Sequence, residues 1–289
     1  MSDQEKNRIV GGTLYLVATP IGNLADLSER AKKTLTEVDF IAAEDTRNTA
    51  RLLAAFEIST PLVSYHEHNR RTRGPQIVER LLRGESCALV SDAGTPAISD
   101  PGEDLVALAA DAGVAVTSVP GCCAGITALT LSGLATARFC FEGFLPREKK
   151  ERRARLAALQ TEARTMILHE APHRLTETLA ELAATLGGTR AVALCRELTK
   201  RNEEILRTTL DGAIAQYRQK EPRGEYVLIV AGDENAKAQA PSPLLALSPA
   251  DHVAYYEKRG VGRMDAIKRV AKERNMPKNE LYRLLHQEK

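Results

Sequence analysis

Three short stretches concentrate the residues from which a binding site could be built: "ATPIGNL" (Ala18–Leu24), "SDAGTPAISDPG" (Ser91–Gly102) and "VPGCCAG" (Val119–Gly125). Each follows an apolar run and is made of small residues that let a backbone come close to a ligand. None holds a Lys or Arg. A phosphate would call for cations or a bare helix N-terminus. Neither a G-x-G-x-x-G turn nor a G-x-x-x-x-G-K-[ST] loop is present, which disfavours a dinucleotide or nucleoside triphosphate. Carbonyls and carboxylates without cations suit a ligand that is itself positive. S-adenosylmethionine fits, with its cationic sulfonium, zwitterionic amino-acid end and flat adenine. Taken singly, each loop also reads as a plain strand-to-helix turn; the case rests on three converging.

Three polar clusters could carry proton chemistry. "AEDTR" sets Glu44, Asp45 and Arg47 just past an apolar run. It reads as carboxylates aimed at a ligand, or as a helix cap supplied by Asp45 or Thr46, and the two are compatible. "YHEHN" offers His66, Glu67, His68 and Asn69, but no further ligands complete a metal set, so no metal is expected. "RELTKRNEE" brings Arg196, Glu197 and Lys200, either as a phosphate-binding and polarising group or as a surface ion-pair cluster.

The elements that must position these groups follow from periodicity. In the first half, strands such as "TLYLVAT" (Thr13–Thr19), "VDFIAAE" (Val38–Glu44), "PLVSY", "CALVSD" and "VAVTSV" alternate with helical patterns, among them "PQIVERLLRG", ended by Gly84. Such alternation means βαβ units and a mostly parallel sheet, with ligands held at the carboxyl ends of the strands. From residue 135, strands "RFCFEGF", "RTMILHE", "RAVALCR", "EEILRTTL" and "GEYVLIVAG" follow with fewer helices, which predicts a mixed sheet. The expected organisation is α/β: one α/β domain over 12–134, a second over 135–233, a linker over 234–247, and a helical, helix-turn-helix-like module over 248–289. In that module Ser248-Pro249 opens a helix, and Met264, Ile267, Val270 and Ala271, then Leu281, Leu284 and Leu285, form apolar stripes.

Composition bounds the setting. The 289 residues carry a net charge of only +2, but six of the nine residues in "REKKERRAR" (Arg147–Arg155) are basic, and Asp251–Lys289 has ten basic against six acidic residues. Local basic surface of this kind suits a phosphate backbone, although solvated helix faces look the same. No apolar run reaches the roughly 18–20 residues of a membrane span, and no secretory signal is read at the N-terminus. Five Cys, two of them adjacent, form no disulfide framework and fit a reducing cytoplasm. Aromatics make up only 4% and Trp is absent, so extensive base stacking is not expected.

"LYLVATPIGNLADLSERA", "IAAEDTRNTARLL", "SYHEHN", "LVSDAGTPAISDPG", "FEGFLPR", "EAPHRL", "RELTK" and "GEYVLIV" together resemble the bacterial 16S rRNA (cytidine-2'-O)-methyltransferase I family of the tetrapyrrole methylase superfamily. The likeness runs from about Gly12 to Gly232 and includes a C-terminal helical extension. It implies two α/β domains with S-adenosylmethionine in the cleft between them, a homodimer, and 16S rRNA within the 30S subunit as substrate. Carried over by motif, Pro20 lies in the first cofactor loop. Asp92, Ala93, Gly94 and Thr95, with Ile98 following, lie in the second, Cys123 and Ala124 in the third, and Glu170 and Leu198 in the second domain. Relatives usually read Pro-Gly-Pro-Ser-Ala where this chain has Pro120-Gly121-Cys122-Cys123-Ala124, so a Ser hydroxyl is missing at Cys123.

On this resemblance a ribose hydroxyl, a weak nucleophile, must lose its proton to a nearby group as it attacks. Glu44 or Asp45 is expected to accept it, with Arg47 and Lys200 placing the RNA backbone. Arg147, Lys149, Lys150, Arg152 and Arg153 are expected to contact phosphates that position rather than specify. Two rivals stand beside this reading: a small-molecule methylase acting on tetrapyrroles, which would not need the basic stretches, and a non-catalytic ribosome-binding relative, prompted by Cys122-Cys123.

Overall fold

The apolar runs of the first half become strands β1 (Thr13–Val17), β2 (Phe40–Ala43), β3 (Leu62–Ser64), β4 (Cys87–Val90) and β5 (Ala115–Val119). They form one parallel sheet in the order β3-β2-β4-β1-β5. Helices α1 (Glu29–Glu37), α2 (Thr46–Ala55), α3 (Arg70–Leu82) and α4 (Gly102–Asp111) connect them. Alternation within the strands divides the core. Tyr15, Val17, Ile41, Ala43, Ala88 and Val90 pack with Leu35 of α1 and Leu53 of α2. Leu14, Phe40, Ala42, Cys87 and Leu89 pack with Ile77 and Leu81 of α3 and Leu105 of α4. With both faces covered, β2 and β4 are buried at every position, which is why they read as unbroken apolar runs. The computed structural model describes residues 7–233, 243–274 and 276–287.

Helix α5 (Ala124–Leu131) leaves the first sheet and leads to β6 (Phe139–Phe144), α6 (Lys149–Leu159), β7 (Thr165–Glu170), α7 (Pro172–Leu186), β8 (Ala191–Arg196), β9 (Glu204–Thr209), α8 (Leu210–Tyr217) and β10 (Tyr226–Val230). Their sheet, ordered β6-β7-β10-β8-β9, is mixed as expected: β6 runs parallel to β7 and the other pairings are antiparallel. One face is covered by α6, α7 and α8 through Leu156, Leu179 and Leu210. The other face, Ile167, Ala193, Cys195, Val227 and Ile229, receives Ala128 and Leu129 of α5. Leu129 is 3% exposed, and burying such a side chain contributes about 1.5–3 kcal/mol. A helix that starts in the third small-residue loop is thus anchored on the second sheet, and the loops at the ends of β1, β4 and β5 share a cavity with residues of β6, β7, β8 and β10.

Helix α3 starts at Arg70, five residues before Pro75, where the sequence suggested a proline-led start. The turn before it is fixed by Asn69, whose side chain accepts from His66 N (2.9 Å) and donates to Ser64 Oγ (2.8 Å), so the helix begins where that turn ends. Gly74 then allows Leu108 to close in, since a Cβ there would lie 2.8 Å from Leu108 Cδ1.

By contact the chain divides into two compact units, Met1–Gly232 and Asp233–Lys289. Within the second, residues 234–242 of the segment read as a linker lie outside the described residues, and Pro243–Ala246 forms a short 3-10 turn. Helices α9 (Pro249–Glu257), α10 (Arg263–Glu273) and α11 (Lys278–Gln287) follow, with Ser248 capping α9 as expected. Val253, Tyr256, Ala266, Ile267, Val270, Ala271 and Leu281 form its core. Met264 and Leu284, read as stripe residues, are exposed, and Ala266 takes the inward place that Met264 was given.

Candidate functional site

The three small-residue loops come from neighbouring strands, because β1 lies between β4 and β5. They are tied to one another by backbone and by one side-chain hydroxyl. Thr19 N donates to Gly94 O (2.9 Å) and Gly94 N to Thr19 O (3.0 Å), while Thr95 Oγ1 donates to Cys122 O (2.9 Å). Gly94 has φ +80°, and a Cβ on it would lie 3.3 Å from Ile21 Cγ2 and 3.5 Å from Cys122 O. Glycine is favoured here by conformation, and the space is tight enough that a side chain would press on Ile21. Ala97 (φ +66°) and Ser99 (φ +58°) hold left-handed conformations in the same loop. The Asp100 carboxylate keeps them there by accepting from Ala97 N (2.9 Å) and Gly102 N (2.7 Å). Such strain persists where surrounding bonds over-determine it, and it clusters at functional sites.

Opposite this ledge stands the second sheet, and between them lies a cavity of about 500 Å³. Its first-sheet wall is Ile21, Ala93, Gly94, Thr95, Ile98, Cys123 and Ala124, and its second-sheet wall includes Phe141, Phe144, His169, Glu170, Leu198 and Lys200. Eight of the ten residues carried over as cofactor contacts therefore meet around one space. The other two, Pro20 and Asp92, stand beside it: Ile21 forms the wall next to Pro20, and Asp92 Oδ1 accepts from Asp45 N (3.2 Å).

Glu170 is buried at the cavity's edge. It accepts from Ala171 N (2.9 Å) and from the Thr178 hydroxyl (2.5 Å), which in turn accepts from Arg152 Nη2 (2.7 Å). Arg152 Nε donates to Glu181 (2.6 Å), and its side chain is 7% exposed. This corrects the expectation that Arg152 contacts phosphate. It sits on the inner face of α6, where its charge is spent on Glu181 and on the hydroxyl behind Glu170. Arg147, Lys149, Lys150 and Arg153 are exposed.

Of the expected catalytic group, only Lys200 lines the cavity. Its ammonium lies between Glu197 (2.9 Å) and Glu225 (2.7 Å). Burial works against the charge, but the hydrogen bonds to those carboxylates outweigh it and leave the pKa raised. Lys200 is therefore a held cation and not a base. Its stem crosses the cleft to the first loop, for a Cβ on Gly22 would fall 2.4 Å from Lys200 Cγ.

Glu44, Asp45 and Arg47 lie at the end of β2, one strand from the ledge. Asp45 is the cap of α2, accepting from Arg47 N (2.8 Å) and pairing with the Arg47 guanidinium (2.9 Å). Those bonds hold its pKa down to about 2, so it is a weak proton acceptor. Glu44 is half-buried, and desolvation, then the charges of Asp92 and Asp100, raise its pKa.

Phe141, Phe144 and His169 had no role in the sequence reading. The signal for them was Gly143, which interrupts the alternation of "FCFEGF". The register jumps there: Phe141 pairs with Ile167, and Gly143 and Phe144 pair with Leu168 and His169.

Comparison with known proteins gives these walls a context. The sequence pattern of the Tetrapyrrole (Corrin/Porphyrin) Methylases matches residues 13–214. A solved uroporphyrin-III-C-methyltransferase from Thermus thermophilus, 16% identical, superposes with a TM-score of 0.54 over 75% of this chain and 94% of its own, a likeness of fold. Ribosomal RNA small subunit methyltransferase I of Halalkalibacterium halodurans is 50% identical over 279 residues, covering 96% of each chain. The Bacillus subtilis protein of the same name is 47% identical over 95% of this chain and 94% of its own. The chain belongs to the tetrapyrrole methylase family and, within it, to the ribosomal RNA small subunit methyltransferase I group.

Proposed function

We propose that this chain transfers the methyl group of S-adenosylmethionine to the ribose 2'-oxygen of a cytidine in 16S rRNA, acting on the 30S subunit in the cytoplasm as a homodimer. The observation that carries the reading is the cavity itself. Three backbone ledges without Lys or Arg face a wall bearing Glu170, Glu225 and a single, doubly paired Lys200. The residues fit the donor: Gly94, in a left-handed conformation, presents bare backbone to the cavity, and the carboxylates favour a sulfonium. Near 50% identity to rRNA enzymes, against 16% to a porphyrin enzyme, supports RNA over a tetrapyrrole.

Bound there, the donor supplies an electrophilic methyl. The attacking oxygen forms a bond to that carbon as the carbon–sulfur bond breaks, and the hydroxyl proton leaves to a base. Glu44 is the acceptor we assign: it stands at the end of β2, one strand from the ledge, and unlike Asp45 it is not committed to capping α2, with burial making it the more basic of the two. Lys200 orients the ribose-phosphate, and the apolar walls exclude water. Arg147, Lys149, Lys150 and Arg153 are the exposed cations that position the RNA. Among the described residues no helix is long and apolar enough to cross a membrane.

The test is incubation of 30S subunits lacking the modification with methyl-labelled donor, followed by alkaline hydrolysis and nuclease mapping. Label on an alkali-resistant cytidine linkage is expected; label on a base, or none, contradicts the reading.

A further inference from the structure

We infer that Phe141, Phe144 and His169 form the recess that holds the target cytosine during transfer, an inference that rests on the function proposed above. On a regular strand, Phe141 and Phe144, three residues apart, would face opposite sides of the sheet. The bulge at Glu142–Gly143 removes one residue from the count, so that both rings come to the cleft face, opposite Ile167 and His169. The bulge is fixed from behind: Glu142, 4% exposed, accepts from Arg155 Nε (2.7 Å), and Gly143 takes φ +61°. The two phenylalanines meet the His169 imidazole edge-on, at centroid distances of 5.4 and 5.6 Å.

His169 Nε2 is buried and has no hydrogen-bond partner among the described residues. A buried polar atom left so is costly unless a ligand completes it. Gly125 packs against the ring, since a Cβ there would lie 3.7 Å from Nε2, so a small movement of α5 or of the ring opens that nitrogen to the cavity they share. Burial pushes the imidazole pKa down, against the pull of Glu225, so the ring offers a neutral nitrogen to a base edge.

The occupant follows from position. The residues carried over as cofactor contacts lie on the first-sheet ledge and at Glu170 and Leu198, whereas the phenylalanines are on edge strand β6. Phe144 is 59% exposed and Phe141 38%, on an edge strand that a large substrate can reach. A ribose hydroxyl inside a folded RNA is reached by splaying out its nucleotide, and the freed base then needs a flat apolar surface and an edge contact. The chain spends two of its five Phe on that surface.

The experiment compares wild type with Phe144→Ala, Phe144→Tyr and His169→Ala on unmodified 30S subunits, alongside calorimetry with S-adenosylmethionine. Phe144→Ala lowers kcat/KM for subunits by about tenfold or more, and Phe144→Tyr restores it. His169→Ala loses about tenfold. Donor affinity stays within about twofold of wild type in all three, as expected for stacking the recess supplies to the acceptor alone. Unchanged kcat/KM in Phe144→Ala and His169→Ala overturns the inference. So does a loss of donor affinity in step with activity, which would give the recess to adenine. Wild type that modifies no subunits overturns the functional reading, and this inference with it.

Discussion

The two walls of the cleft are built by different means. The first-sheet ledge is mostly backbone: Thr19 and Gly94 bond through amides and carbonyls, the Cys122 carbonyl accepts from the Thr95 hydroxyl, and the left-handed residues are fixed by one carboxylate, Asp100. The second-sheet wall is side chain: Phe141 and Phe144 aimed by a bulge, His169 with no hydrogen-bond partner for Nε2 among the described residues, Glu170 braced by Thr178 and Arg152. A ledge of peptide groups can take any donor of the right charge and shape, while a wall of side chains can choose its acceptor.

Variants can break this comparison from either side. The largest effect is expected at Glu44, next to the ledge. Glu44→Gln should lower single-turnover methyl transfer by about 10²–10⁴-fold with donor affinity unchanged. Because Glu44 must be deprotonated to accept a proton and its pKa is raised, the wild-type rate should fall as pH drops through that raised value. This acid limb should be absent in the variant. Full activity in Glu44→Gln removes it from the role.

Arg152 tests the second wall. Arg152→Ala leaves Glu181 without its cation and the Thr178 hydroxyl without its donor, while Arg174 stays 3.8 Å from Glu170, and should cost about 1–3 kcal/mol of stability in denaturant unfolding. Exposed Arg153→Ala should stay within about 0.5 kcal/mol. If Arg152→Ala is fully stable and loses only RNA affinity, the side chain is a phosphate contact after all.

Gly94 tests the first wall. Gly94→Ala places a Cβ at φ +80°, at a cost of about 1–2 kcal/mol, and should weaken donor binding by calorimetry. Unchanged affinity would mean that the ledge is not the donor's seat. The smallest effect is expected at Cys123, the cap of α5, which makes no side-chain capping bond. Cys123→Ser supplies that acceptor and should raise thermal stability by about 0.5–1 kcal/mol. Donor affinity should stay within about twofold, since the added hydroxyl is taken up by the helix N-terminus.

The ledge could be read from sequence because its chemistry lies in composition: small residues, no cations, three neighbouring strand ends. The parallel sheet was legible for the same local reason, since strands buried on both faces are continuous apolar runs. The second wall was not. Phe141 and Phe144 look like ordinary strand residues until the register shift at Gly143 turns both inward, and register is a property of two strands. Low aromatic content argued against stacking, yet content says nothing of clustering. Arg152 reads as one more cation in "REKKERRAR"; only the phase of α6 turns it toward Glu181. Asp45 and Glu44 are adjacent in sequence, but a helix cap commits one and burial sharpens the other.

A crystal structure of the chain with S-adenosylhomocysteine tests the central claim most directly. The sulfur should lie over the Ala93–Thr95 ledge, with the rest of the molecule between Cys123–Ala124 and the Glu170–Leu198 wall, and with the Phe144 recess left free for a base. A ligand bound away from that ledge, or an adenine seated between Phe144 and His169, would contradict the account.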